Sequence, residues 1–435
     1  MLSRIKSARL APYDIYNFKL RHRHCDTESS PAFQHPQSHE IPRQARNDIF
    51  TGLLYKNYAE LSGEIIVITL LGSTGSIGTQ SLEVIENLGD NIFALCANLN
   101  TKLLEFQVRK YKPVYCAVYD EKKANDFKIA VKDTSTKVVS GIEGIKFIAS
   151  HNNTGLLINA LMGQIGLEPT LAAIKAKKRV ALANKETLVV GGEIVMKEAR
   201  DNGVDILPID SEHCAIRQCI KNEKTENIKK IILTASGGPF YGKSRAELSN
   251  ITPEDALKHP TWKMGRKITV DSATMMNKGL ELIEACHLFN IAPDKISAVI
   301  HRQSIIHSLV EFIDKSSLAQ LSLPDIRICI QYAVTGCERR ESSEDIQPLD
   351  LIKAGSLTFQ EPDNENFPLL ELSRYVIKEG GTLPAAMNKA NEVAVELFLK
   401  GELSFLGIND YVQEAVAKHK NIKNPKIEDL ILLLK

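Results

Sequence analysis

The chain has 435 residues, 43% hydrophobic and 25% charged, with 54 Lys and Arg against 53 Asp and Glu; at about 100–200 residues per domain, that is two or three domains with real cores. A net charge of +1 offers no clustered positive field for nucleic acid, and no apolar run approaches the roughly 20 residues of a membrane helix, so neither is an expected partner. Eight cysteines, none in a Cys-x-x-Cys pair, fit scattered thiols in a reducing compartment better than a disulfide framework.

From Met1 to Gly63 no helical or alternating apolar period persists, and His22, His24, His35 and His39 lack the spacing of zinc ligands. Residues 1–63 are expected to be a disordered extension that builds no core. Arg4, Lys6, Arg9, Lys19, Arg21 and Arg23 against Asp14 leave open a transit peptide, which would exchange the bacterial cytoplasm for a plastid.

Ile65 to Leu71 is an apolar, β-branched run of the kind buried on both faces of a parallel sheet. Gly72 to Gly78, GSTGSIG, follows, and then a helix-compatible segment. Strand, glycine turn and helix N-terminus together suit a pyrophosphate, although a purely structural tight turn competes with that reading. The second strand, Phe93 to Asn98, ends without the Asp or Glu that would bind an adenine-ribose 2′-hydroxyl, which favours NADP over NAD, with Lys102 in reach of a 2′-phosphate. Strands are expected at 115–119, 155–160, 179–183 and 204–209, separated by helices such as 168–177 and 193–202, the alternation of a parallel α/β sheet.

At the end of the 204–209 strand, continued extension would put Asp210 and Glu212 on one side. Two carboxylates at a strand's carboxyl end suit Mg²⁺ or Mn²⁺ once a third ligand joins them. A helix entered near Asp271-Ser272 would align Asn277, Glu281 and Glu284, with Lys278 beside them and Leu282, Cys286 and Phe289 turned to the core; a solvated polar stripe is the competing reading. Thr234 to Pro239, after a strand at 230–233, lets backbone N–H groups and Ser236 approach an anion, and Ser272, Asn277 and Lys278 add donors that suit a phosphate monoester. Lys185, at the end of another strand, can steady developing negative charge on a substrate oxygen. His259, Trp262 and Met264 precede an expected strand at 267–270; Trp262, the only tryptophan, suits either a ligand-covering loop or core packing.

Seven ordered segments resemble signatures of the 1-deoxy-D-xylulose 5-phosphate reductoisomerase family: GSTGSIG at Gly72, ALANKE at Ala181, LPIDSEH at Leu207, SGGPF at Ser236, HPTWKMGRKITVDSATMMNKGLE at His259, HRQSIIHS at His301 and LPAAMNKANEVAV at Leu383. The resemblance implies NADPH-dependent rearrangement and reduction of the sugar phosphate to 2-C-methyl-D-erythritol 4-phosphate, on the non-mevalonate route to isoprenoids, by a homodimer using Mn²⁺, Mg²⁺ or Co²⁺. By the same resemblance, Asp210, Glu212 and Glu281 hold the metal, and Lys185 and Ser211 meet the substrate backbone. Ser236, Ser272, Asn277 and Lys278 cradle its phosphate, while His259, Trp262 and Met264 form a flap. Thr74, Gly75, Ser76 and Ile77 meet the dinucleotide, joined by Asn100, Asn184 and Glu186. Lys185, Glu212 and His259 are the implied catalytic set, and Glu281 also lines the substrate. Asn98-Leu99-Asn100 departs from the family's Gly-Lys/Arg-Asn triplet, and Arg302 replaces a proline.

The expected α/β organisation is a Rossmann-like NADPH domain at 64–210, a catalytic and metal-binding α/β domain at 211–335, a connection at 336–368 and a helical C-terminal domain at 369–435. The competing function is an NADP-dependent semialdehyde or hydroxy-acid dehydrogenase, which needs no metal triad; a semialdehyde enzyme would use a cysteine nucleophile, for which Cys214 and Cys219 have little support. A catalytically silent NADP-binding protein is the third reading.

Overall fold

The structure, a computed structural model, describes residues 65–262 and 264–434; the expectations for residues 1–63 lie outside them. Seven strands, β1 (Val67–Leu71), β2 (Asn91–Ala97), β3 (Tyr115–Val118), β4 (Lys137–Ser140), β5 (Leu156–Asn159), β6 (Arg179–Leu182) and β7 (Ile206–Pro208), form a sheet in the order β4-β3-β2-β1-β5-β6-β7. Every pairing in it is parallel. The chain runs outward from β1 to β4 and then returns to β5 on the other flank of β1. This reversal makes β1/β5 the switch point, where an open α/β sheet forms its ligand crevice.

Helices cover both faces: α1 (Ser76–Leu88), α2 (Thr101–Tyr111), α3 (Glu121–Ala130), α4 (Gly141–Ser150), α5 (Leu167–Lys175) and α6 (Glu186–Asn202). Ile68, Leu70, Leu95, Leu156 and Ile158 bury one face against α1 to α3, and Leu71, Leu157, Val180 and Leu182 bury the other against α4 to α6. This explains the continuous apolar reading of the strands.

After α7 (Ser211–Cys219), strand β8 (Ile228–Ala235) begins a second sheet with β9 (Ile296–Ile300), β10 (Ile306–Phe312) and β11 (Ser317–Leu321), ordered β11-β10-β8-β9. Strand β8 runs parallel to β9 and antiparallel to β10, which pairs antiparallel with β11. Helices α8 (Arg266–Ala273) and α9 (Met276–Phe289) pack on this sheet. Helix α10 (Ile326–Val334) returns to the first core, while α11 (Leu369–Glu379), α12 (Leu383–Lys400) and α13 (Phe405–Lys418) extend the second; α14 (Ile427–Leu434) packs on the first sheet's other face.

Three local expectations are corrected. Lys267–Val270 is the first half of α8 rather than a strand: helical geometry stacks Lys267 on Asp271 at 2.7 Å, i to i+4, and turns Thr269, Val270 and Ala273 inward. Asp271 and Ser272 end that helix instead of opening the next, because Met275, at φ 61°, redirects the chain before α9. The strand expected at 204–209 stops at Pro208, so Asp210 and Glu212 do not converge by strand alternation. Strand β4 was not expected from the sequence, being four residues at the sheet edge.

Candidate active site

Beyond β1, the glycine turn closes tightly on itself. Gly72 has φ +81°, Gly75 N–H donates to Gly72 O at 3.0 Å, and a Cβ on Gly78 would lie 2.1 Å from Gly72 O. Ser73 donates to Gln107 Oε1 of α2 at 2.7 Å, and Gln107 Nε2 returns a bond to Ser73 O at 2.8 Å, latching the turn to its neighbour. Gly75, Ser76 and Ile77 line a crevice of about 1140 Å³ that runs to the second sheet. Asn100 caps α2 by accepting from Leu103 N–H at 3.3 Å, and Leu99 beside it is exposed.

At the crevice's other end, Asp210 is the N-cap of α7 and Glu212 lies in its first turn, a placement that also suits carboxylates electrostatically. Glu281 comes from α9. Carboxylate oxygens of Asp210, Glu212 and Glu281 gather within 4.8 Å of one another. Lys185, before α6, meets Asp210 at 2.5 Å, Glu281 at 3.2 Å and Asn277 Oδ1 at 2.9 Å. Lys278 meets Glu212 at 2.6 Å and also pairs with Glu281. Its ammonium therefore faces carboxylates rather than the serine pair with which the sequence grouped it.

These charges set the protonation pattern. Burial alone would raise the Glu212 carboxyl, but Lys278 pulls it down to about 2. Burial and then the Glu212 charge push Glu281 up to about 7. Burial works against the Lys185 charge, yet Asp210 and Glu281 hold it well above the ordinary lysine range. Behind the triad, Asp210, His213 and Glu284 form a second close group. His213 shares its Nε2 with Glu281 O at 2.9 Å, burial holds it neutral down to about 4, and its Nδ1 lies 3.5 Å from Glu284. Burial, reinforced by the Asp210 charge, raises the Glu284 carboxyl well above the usual carboxylate range.

The small-residue turn after β8 holds Gly237 and Gly238 at φ +75° and +65°, and Arg302 donates to Ser236 O and Gly238 O at 2.9 and 2.7 Å. This residue fixes the turn from behind. His259 Nε2 sits between Ser236 Oγ at 3.0 Å and Ser272 Oγ at 3.1 Å, while its Nδ1 accepts from Trp262 N–H at 2.9 Å. Burial, with Arg302 nearby, lowers His259 to about 4, leaving a neutral imidazole. Trp262 and Met264 line the same crevice, and Trp262 is partly exposed there, so it is not a core tryptophan.

The structure thus brings together Lys185, Asp210, Ser211, Glu212, Ser236, His259, Ser272, Asn277, Lys278 and Glu281 on one crevice with Gly75, Ser76, Ile77 and Glu186. Asn184 stands behind it, donating to Leu161 O and Gly163 O at 2.9 and 2.7 Å and so shaping the loop beyond β5. Thr74 and Asn100 are outside the lining set. Lys267, Asp271 and Glu392 line the crevice without having been read from the sequence. The sequence assigns Lys267 to a strand and Asp271 to the start of the next helix, and Glu392 belongs to a helix more than one hundred residues later.

Fold and crevice define the class: a Rossmann-like α/β protein whose switch-point crevice ends in a lysine-compensated carboxylate cluster. The family profile described as 1-deoxy-D-xylulose 5-phosphate reductoisomerase matches residues 68–192, its C-terminal domain matches 206–289, and a further DXP reductoisomerase C-terminal domain matches 321–434. A protein of Acetivibrio thermocellus with the family's name is 50% identical over 84% of this chain and 95% of its own, and one of Halalkalibacterium halodurans 48% identical over the same shares. Among solved structures, the Zymomonas mobilis reductoisomerase in complex with NADPH aligns with TM-score 0.79 and 40% identity, covering 85% of this chain and 96% of that one. A reductoisomerase in complex with NADPH, fosmidomycin and magnesium aligns with TM-score 0.81 and 40% identity over 85% and 95%. The chain belongs to the 1-deoxy-D-xylulose 5-phosphate reductoisomerase family.

Proposed function

We propose that this chain rearranges 1-deoxy-D-xylulose 5-phosphate and reduces the resulting aldehyde to 2-C-methyl-D-erythritol 4-phosphate, using NADPH and a divalent cation. The observation that carries the reading is the convergence of Asp210, Glu212 and Glu281 from α7 and α9 onto the crevice that begins at the glycine turn. Three carboxylate oxygens suit Mg²⁺, Mn²⁺ or Co²⁺ better than a soft metal, and these residues would hold the cation. When bound, it supplies Lewis-acid polarisation of the substrate's carbonyl and hydroxyl oxygens.

The chain's own groups supply the rest. Lys185, charged and fixed by Asp210 and Glu281, is set to donate to a substrate oxygen as negative charge develops. Glu212, ionised and bonded by Ser211 Oγ at 2.5 Å, is the proton acceptor within reach. Ser236 and Ser272 offer hydroxyls to the phosphate; binding that remote group holds the reacting carbons in place. His259 and Trp262 close over them and exclude water. Gly75 to Ile77, with the first turn of α1, accept the pyrophosphate, and Asn184 and Glu186 stand at the nicotinamide end.

A division near residue 210 is part of this proposal, and it is supported by the end of the parallel sheet at Pro208 and the start of the second sheet at Ile228. A homodimer is supported by β11, an edge strand with exposed Leu318 and Leu321 next to exposed Ile313, the type of edge that pairs with a second chain. A bacterial cytoplasmic location is supported by bacterial relatives and by free thiols at seven described cysteines; among the described residues no helix is long and apolar enough to cross a membrane.

The test follows NADPH oxidation with the xylulose phosphate in EDTA and in Mn²⁺ or Mg²⁺. Cation-dependent turnover that collapses in Glu212→Gln is expected. Metal-independent turnover, or none from folded protein, overturns the proposal.

A further inference from the structure

A chain of polar side chains runs from the C-terminal helices into the crevice. Asn391 of α12, fully buried, donates from Nδ2 to Asp271 Oδ1 at 2.8 Å. Asp271, itself 1% exposed, holds Lys267 by its other oxygen at 2.7 Å. Lys267 reaches across to Glu186 Oε1 at 3.4 Å, and Glu186 Oε2 accepts from Asn184 Nδ2 at 3.4 Å. Asn184 in turn holds the loop beyond β5 through Leu161 O and Gly163 O. Three helices, α12, α8 and α6, are thereby joined to one wall of the crevice.

Lys267 is the cation this wall needs. Glu186, Asp271 and Glu392 all border it, and a Cβ on Gly163 would stand 3.3 Å from Glu392 Oε1, so the loop also lies against that acid. Burial works against the Lys267 charge, but Asp271 and Glu186 more than offset this and keep it charged. Burial also raises the Glu392 carboxyl. Without the ammonium, Glu186 would lose its counter-charge and the fixed direction of its Oε1, because Glu392 on the same wall feels its like charge.

We infer that Asn391, Asp271 and Lys267 are positioning residues that act through Glu186, so that the helical C-terminal region sets the geometry of the crevice wall receiving the nicotinamide half of NADPH. This rests on the proposed NADPH-dependent function. The consequence is specific: disturbing Asn391 on α12 weakens the cofactor while leaving the sugar phosphate's own contacts, Ser236 and Ser272, in place.

NADPH binding is measured by fluorescence titration, which needs no turnover, on the full chain and on Lys267→Met, Lys267→Arg, Asn391→Ala, Glu186→Gln and Lys267→Met/Glu186→Gln, with folding checked by circular dichroism. Lys267→Met and Asn391→Ala are each expected to weaken NADPH about tenfold, the scale of one hydrogen bond to a charged group. Lys267→Arg should restore most of the loss, and Lys267→Met should cost little more once Glu186 is already Gln. In steady state, KM for NADPH should rise while KM for the sugar phosphate stays within about twofold of the parent. Unchanged NADPH affinity in folded Lys267→Met, an additive double variant, or parallel rises in both KM values would overturn the inference. If the parent chain binds NADPH but does not turn over the xylulose phosphate, the proposed reaction fails while these binding comparisons remain decisive for the relay.

Discussion

Replacing Lys278 by Met tests whether the ammonium groups stand in for a cation. Lys278 is 4% exposed and contacts Glu212 at 2.6 Å and Glu281 more closely still. At 2.6 Å the attraction to one carboxylate is roughly 6 kcal/mol at an effective dielectric of about 20. Desolvation consumes much of this, yet removing one member of a buried pair costs about 3–5 kcal/mol because the other charge is left uncompensated. Lys278→Met should therefore lose about 3–5 kcal/mol in urea unfolding followed by circular dichroism in EDTA. A divalent cation on Asp210, Glu212 and Glu281 competes with the same ammonium, so its removal should tighten Mn²⁺ binding in calorimetry by about 5–150-fold. By linkage, saturating Mn²⁺ should shrink the stability gap between variant and parent by about 1–3 kcal/mol. A gap unaffected by Mn²⁺, or weaker Mn²⁺ binding in the variant, would refute the idea that lysine and metal share these oxygens.

Gly78→Ala should abolish NADPH binding in the same titration, because its Cβ would lie 2.1 Å from the backbone oxygen of Gly72; a parent-like affinity would show that the glycine turn does not hold the cofactor. His287, lowered by burial to about 4, binds a proton in the unfolded chain before the folded one. Its contribution is thus complete above about pH 6.5 and is lost as pH falls toward 4; His287→Gln should flatten the acid limb of the stability curve by about 3 kcal/mol at pH 4. Trp262, the only indole in the chain, lines the crevice, so a phosphonate substrate analogue should change its fluorescence saturably; no change on bound protein would place the flap away from the ligand.

Periodicity and turn chemistry exposed the parallel sheet, since buried strands such as Val67–Leu71 are apolar but for Thr69 and the glycine turn follows at once. They failed at Lys267–Val270, where β-branched Ile268, Thr269 and Val270 suggest a strand. Packing against α9 and α12 and the Lys267–Asp271 pair instead favour a helix, a tertiary override of local propensity. The carboxylate pair at Asp210 and Glu212 was legible, but the geometry uniting it was not: a helix cap replaces strand alternation. Lys278 read as a phosphate donor because its neighbours are Ser272 and Asn277; only the fold reveals Glu212, sixty-six positions earlier, as its partner. The Asn391–Asp271 bond spans 120 positions, and no spacing rule connects residues so far apart.

One consequence follows from the histidine lodged between Ser236 and Ser272. The two hydroxyls proposed for the phosphate share the single Nε2 of one neutral imidazole, that of His259. If Ser236 and Ser272 take the phosphate as proposed, an arriving anion would have to displace that internal tenant, an exchange that a doubly charged phosphate end would repay better than chloride or a simple carboxylate.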